Sequence, residues 1–142
     1  MIFLCPHLSA LSLFIMNHRV LIVEDEKILA LGLRSLFSSL GWEVISLADN
    51  CQQAVFLANQ FQPNLIVMDI HLATEETGID AADLIRSFSD CPIVFQSSTT
   101  IPELLERAIS FPNSEFIPKT LCREFWQVVL SGFQSRNWSQ VA

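Results

Sequence analysis

The chain has 142 residues, 51% of them apolar, and its 15 acidic residues against 8 Lys plus Arg give a formal charge of -7. That length suits one domain with a substantial core, and the apolar share excludes a disordered polyelectrolyte. The charge balance argues against bare nucleic acid as a direct partner, since phosphate contacts need concentrated positive charge, but it accommodates a divalent cation or a basic protein.

Residues 1–15 are apolar and carry no Lys, Arg, Asp or Glu. Without a basic leading region, and interrupted by Pro6, they do not read as a secretory signal. They are also shorter than the ~20 residues a membrane-spanning helix needs. Residues 1–18 are therefore expected to be an amino-terminal extension, upstream of the natural start or forming an added element. The predicted domain covers residues 19–133, and residues 134–142 are expected to be a frayed tail. The scattered Cys5, Cys51, Cys91 and Cys122 form no CxxC pair, which fits buried, reduced thiols in a cytoplasmic protein.

Val20-Leu21-Ile22-Val23 is a compact apolar run ending on Glu24-Asp25-Glu26. Ile28, Leu29, Leu31, Leu33, Leu36, Phe37 and Leu40 follow at helical spacing, and Gly41 supplies the stop. Residues 42–47 read as a strand. Asp49 or Asn50 is placed to cap a helix carrying Ala54, Val55, Leu57, Ala58 and Phe61. Pro63 then opens Leu65-Ile66-Val67-Met68, whose unbroken apolar character predicts a strand buried on both faces. An ionised carboxylate inside such a core would cost several kcal/mol, so Asp69 belongs at the strand's carboxyl end. A polar loop follows, and a helix is predicted from about Ile79. Residues 93–95 form a short strand running into Gln96-Ser97-Ser98-Thr99-Thr100. Pro102 suits the first turn of the next helix, Phe116-Ile117 is a last short strand, and a final helix runs from roughly Cys122 to Gly132. The alternation predicts an α/β fold: a doubly wound (βα)5 parallel five-stranded sheet of flavodoxin-like topology.

Four features fall at predicted carboxyl ends of strands: Glu24-Asp25, Asp69, Ser97 and Lys119. In an open α/β sheet that edge is where ligands bind. Taken singly, the acidic pair reads as first-turn charge, Ser97 as a helix cap and Lys119 as a solvated lysine. Their coincidence on one edge invites a hard divalent cation such as Mg²⁺, held by oxygen ligands. Asp69 is then a candidate nucleophile toward a phosphoryl group, with Ser97 donating to one phosphoryl oxygen and Lys119 neutralising another. Two rival chemistries lack their residues. A phosphatase using an aspartate nucleophile wants a second acid two positions on, where the chain has His71. A flavodoxin-like cofactor binder wants a glycine- or hydroxyl-rich loop after the first strand, where the chain has Glu24-Asp25-Glu26.

From Arg19 to Phe133 the chain resembles the response-regulator receiver family, the phosphoacceptor module of two-component signalling. The resemblance rests on Val20-Leu21-Ile22-Val23-Glu24-Asp25-Glu26, on Leu65-Ile66-Val67-Met68-Asp69, on Gly78-Ile79-Asp80-Ala81-Ala82, on Ser97 at the family's Ser/Thr position and on Lys119 at its lysine. It implies Mg²⁺, with Mn²⁺ as a substitute, bound by Glu24, Asp25, Asp69 and the backbone carbonyl of His71. It implies phosphorylation of Asp69 by a histidine kinase or histidine phosphotransfer protein, and a switch made by Ser97 and Phe116. It also implies that phosphorylation remodels the face built from the fourth helix, fifth strand and fifth helix; homodimerisation through that face is expected, and no membrane partner is. No DNA-binding segment is legible after residue 133, so a stand-alone regulator is the expectation, with a phosphorylation-independent adaptor as the alternative. In this family such a domain catalyses only its own phosphoryl transfer and loss.

Two stretches depart from the family pattern. Thr120 follows Lys119 where proline is usual, so Lys119 is expected to be held less rigidly. Residues 111–115 lack the usual Gly-Ala, so the fourth helix is expected to end irregularly. In the last helix, Phe125, Val128, Val129 and Gly132 are expected to face the sheet, leaving Trp126, Leu130 and Phe133 as an outward apolar line and a candidate interface.

Overall fold

The computed structural model describes residues 18–137, with side chains to residue 133. The expectations for residues 1–17, for Cys5 and for residues 138–142 fall outside them. The elements alternate without interruption: β1 (Arg19–Val23), α1 (Lys27–Ser39), β2 (Glu43–Ala48), α2 (Cys51–Phe61), β3 (Leu65–Asp69), α3 (Gly78–Arg86), β4 (Ile93–Gln96), α4 (Pro102–Ser110), β5 (Ser114–Ile117) and α5 (Arg123–Asn137). All strand pairs are parallel, in the order β2-β1-β3-β4-β5, which is the doubly wound arrangement expected. The chain goes out from β1 to β2 and then returns past β1 to β3. The β1 and β3 carboxyl ends therefore flank the point where the winding reverses, and a crevice opens there.

Both faces of the sheet are covered, because side chains alternate along each strand. Leu21, Val23, Ile66, Met68, Ile93 and Phe95 pack under α2, α3 and α4. Val20, Ile22, Leu65, Val67 and Val94 pack under α1 and α5. Apolar runs with no polar alternation are the consequence, and β3 is buried from end to end.

The helix ends carry their own chemistry. Asn50 caps α2 by accepting the Gln53 N–H at 2.9 Å. Gly41 adopts φ 89° just beyond α1, which relieves it of the Cβ penalty other residues would meet. Gly32, inside α1, leaves room for Leu121, whose side chain lies 3.0 Å from where a Cβ would stand. Thr77 and Asp80 form a capping box at the start of α3, each side chain bonding the other's backbone N–H.

Asp80 is held below its ordinary value first by the Thr77 backbone N–H, against the opposing effect of burial, and then by Arg107. The sign follows: the cap's ionic contribution is present above the unfolded pKa of about 4 and disappears as pH falls through the lower folded value. Asp80→Ala is expected to cost about 1 kcal/mol at neutral pH. In thermal unfolding followed by circular dichroism, the gap between wild type and variant should narrow in acid. The half-exposed Arg107–Asp80 and Arg107–Asp83 pairs add little.

The end of α4 is irregular, as expected. Phe111 is extended and Asn113 takes the left-handed conformation at φ 52°, a role asparagine fills better than most non-glycine residues. Arg86 fastens this turn to its neighbours, donating to the carbonyls of Cys91 at 2.6 Å and of Pro112 and Asn113 at 3.0 Å.

Three expectations need correction. First, Trp126, Leu130 and Phe133 face the sheet, with Trp126 0% exposed, while Phe125 and Val128 point outward, Val128 74% exposed. The helix is turned so that its bulkier stripe is buried. An indole, a Leu and a Phe remove more apolar surface from water than two valines, a Phe and a glycine. The proposed interface line is core. Second, α5 runs on to Asn137, past the helix end expected near Gly132. Third, Cys122 is exposed, whereas Cys51 and Cys91 are buried; burial pushes the Cys91 thiol up to about 12, so it stays neutral.

Candidate functional site

β1 ends at Val23, β3 at Asp69, β4 at Gln96 and β5 at Ile117, so the acidic pair, Asp69, Ser97 and Lys119 all leave the same edge of the sheet. Glu24, Asp25 and Asp69 each offer an oxygen lying within 4.8 Å of the others. Glu24 is 2% exposed and Asp69 1%, while Asp25 is half-buried at the mouth. Lys119 reaches into the cluster, its Nζ donating to Asp69 Oδ2 at 2.9 Å and to Glu24 Oε1 at 3.2 Å. Asp69 Oδ1 accepts the His71 backbone N–H at 3.2 Å, and Glu24 Oε1 also accepts that of Glu26 at 3.2 Å.

The electrostatics of the cluster are out of balance. Burial raises Glu24 to about 7, assisted by the charge of Asp69 and opposed by Lys119. Burial likewise raises Asp69, with the hydrogen bond and charge of Lys119 working against it. For Lys119, burial alone would favour the neutral amine, but its bonds to Asp69 and Glu24 outweigh that and raise it. Three carboxylates face one ammonium, which leaves a formal surplus of two negative charges when all are ionised. A divalent cation carries the matching charge. Because every side chain in the cluster offers a carboxylate oxygen, the donor set fits a hard ion such as Mg²⁺ or Mn²⁺ better than a soft one.

Ser97 is buried directly after β4, and its Oγ accepts the Thr99 N–H at 3.0 Å. Thr99 Oγ1 repeats the pattern with Ile101, so side-chain turns lead into Pro102 of α4. Phe116, in β5, is half-buried against the core beneath α4.

The departure after Lys119 has a structural answer. Thr120 offers its carbonyl to the indole N–H of buried Trp126 at 2.9 Å, and its hydroxyl accepts the Cys122 N–H at 3.0 Å. The loop that carries the lysine is thereby tied to the core without a proline after Lys119, Pro118 standing before it instead.

Gln96 escaped the sequence reading. It is 1% exposed, pairs in register with Asp69, and its Nε2 donates to Glu24 Oε2 at 3.3 Å. A signal was present: an amide closes the apolar run Ile93-Val94-Phe95 where a buried strand has no use for one.

The family model for the response regulator receiver domain matches residues 20–126. The chain belongs to the response regulator receiver family. It is 30% identical over 105 residues to the chemotaxis protein CheY of Thermotoga maritima, covering 73% of this chain and 87% of that one. It is 38% identical over 90 residues to the transcriptional regulatory protein PdtaR of Mycobacterium tuberculosis, covering 63% of this chain but only 43% of PdtaR. Among solved structures, the signal receiver domain of a modulated diguanylate cyclase from Desulfovibrio desulfuricans G20 superposes with a TM-score of 0.73 at 29% identity, over 80% of this chain and 90% of that one. Residues 20–126 are thus a receiver domain of two-component signalling, a signalling module of a family that works with kinases or phosphotransfer proteins. Among the described residues no helix is long and apolar enough to cross a membrane.

Proposed function

We propose that this receiver accepts a phosphoryl group on Asp69 from the phosphohistidine of a histidine kinase or histidine phosphotransfer protein, in a reaction that needs Mg²⁺, and signals through protein contacts. One observation supports this above others: a buried aspartate at the end of β3, held at 2.9 Å by Lys119 within the cluster of Glu24 and Asp25. On this reading a carboxylate oxygen of Asp69 bonds to phosphorus as the phosphorus–nitrogen bond breaks. An acyl phosphate forms, and the leaving imidazole takes its proton from solvent. Lys119 pairs with the new negative charge, and the Ser97 hydroxyl, which accepts from Thr99, still has its own proton to donate to a phosphoryl oxygen. Glu24, Asp25, Asp69 and the His71 carbonyl are the proposed ligands of the cation. When bound, the ion would offset the charge that a phosphoryl group brings into an already acidic pocket.

Ser97 and Phe116 are the proposed switch, biasing two packings of the face formed by α4, β5 and α5. Exposed Ile101 at the entry to α4 and Ile109 on it, with Phe125 and Val128 on α5, give that region apolar surface for a target or a second copy. Hydrolysis of the acyl phosphate by water would reset the domain. The working unit is residues 19–133 with the rest of α5, acting in the cytoplasm.

Incubation with Mg²⁺ and acetyl phosphate, followed by intact mass, tests the proposal. The expected result is a gain of one phosphoryl group that is absent in Asp69→Asn and without the cation. No gain in the wild type, or an undiminished gain in Asp69→Asn, would overturn it.

A further inference from the structure

A carboxylate buried as deeply as Glu24 must have its lone pairs met by donors, and the chain supplies three. Two are directed at Oε1: the Lys119 ammonium and the Glu26 backbone N–H. The third is the amide of Gln96, which alone among the described donors engages Oε2. Gln96 ends β4, two strands away from β1, so its side chain reaches past the Asp69 strand to meet Glu24. A residue there needs no polarity for packing. Ile93, Val94 and Phe95 are all fully buried, and a Met would fill the same space without desolvating an amide.

The neutrality of this donor matters as much as its position. A second Lys or Arg on Oε2 would also orient Glu24, but it would cancel one of the surplus negative charges. An amide fixes the plane of the carboxylate and leaves its charge available to a cation. With both oxygens held, Glu24 keeps the orientation that brings it within 4.8 Å of Asp25 and Asp69. Without the amide, Oε2 becomes a buried acceptor lacking its donor, and the carboxylate is free to rotate about its bonds to Lys119 and Glu26.

We infer that Gln96 is a positioning residue of the cation pocket, acting through Glu24 to set the geometry, and hence the affinity, with which the acidic cluster takes up a divalent ion. The inference rests on reading Glu24, Asp25 and Asp69 as a cation site. Partners that orient metal-binding groups from behind typically change affinity 10- to 100-fold when removed, and a neutral amide at 3.3 Å belongs at the lower end, about 10-fold.

The test uses the full chain and Mn²⁺ alone as the probe, with binding measured by isothermal titration calorimetry and folding checked by thermal unfolding without metal. Gln96→Met keeps the volume and removes the donor; Gln96→Asn keeps the amide and shortens its reach by one methylene. Both are expected to bind Mn²⁺ about 10-fold more weakly than wild type. In a Glu24→Gln background the Gln96→Met change should have no further effect, since its route is gone. Unchanged affinity in the folded variants, or an equal loss in the Glu24→Gln background, would overturn the role of Gln96. Failure of both variants to fold would also overturn it, by showing that the amide serves only the core. A wild-type chain that takes up no Mn²⁺ would instead refute the cation site itself.

Discussion

Gly78→Ala is expected to destabilise the domain by about 3 kcal/mol, at the upper end of what overpacking costs, and to lower its melting temperature by about 10 °C. A Cβ at this position would collide with the backbone carbonyl oxygen of Asp69 and stand 2.8 Å from Met68 Cγ. The cause is space and not backbone conformation, because Gly41 is the glycine with positive φ among the described residues. Residues 70–77 leave the end of β3 and must return closely enough for the Gly78 N–H to bond the Ile70 carbonyl at 2.8 Å. Relief therefore requires moving either the start of α3 or the residue proposed to accept the phosphoryl group. Displacing Asp69 by about 1 Å should slow labelling by acetyl phosphate about 100-fold, well beyond what partial unfolding explains. Thermal unfolding and intact mass on the same sample check both parts; a variant that melts and labels like wild type would contradict the close approach.

Trp126→Ala should cost about 4 kcal/mol, the range for deleting a fully buried aromatic. The indole fills the space between α1 and the sheet, packed edge-on against Phe37 with ring centroids 5.1 Å apart. Trp126→Glu is accordingly expected to unfold the chain, and not merely to disperse an assembly as an exposed interface residue would. Trp126→Phe separates the two roles of the side chain. It keeps most of the packing but leaves the Thr120 carbonyl without its donor, at about 1–2 kcal/mol. Because Thr120 follows Lys119, labelling of Asp69 should slow in this variant even where the fold is intact. Sedimentation, circular dichroism and acetyl phosphate labelling distinguish these outcomes; a soluble, folded Trp126→Glu chain would refute the buried orientation.

The error over α5 shows where periodicity stops being informative. Both stripes of that helix repeat at helical spacing, so spacing alone cannot say which of them meets the sheet. Comparing their apolar areas would have ranked them correctly, since Trp126, Leu130 and Phe133 have more surface to hide. Gln96 was missed for a different reason. Its importance comes from a partner 72 residues away in the chain, and no local pattern reports which buried acceptor an amide will find. The cap of α2 by Asn50 and the start of α4 at Pro102 were legible because each depends on neighbours within one turn.

The sequence alone determined the alternation of strands and helices, and it placed Glu24-Asp25, Asp69, Ser97 and Lys119 at strand ends. Runs of apolar residues and the cost of burying charge are local matters, readable one segment at a time. Tertiary structure decided the rest: which stripe of α5 is core, how the Trp126 indole steadies the loop after Lys119, and which neutral donor holds Glu24. Those outcomes are settled by competition between distant groups for the same space and the same lone pairs, which exists only once the sheet has assembled.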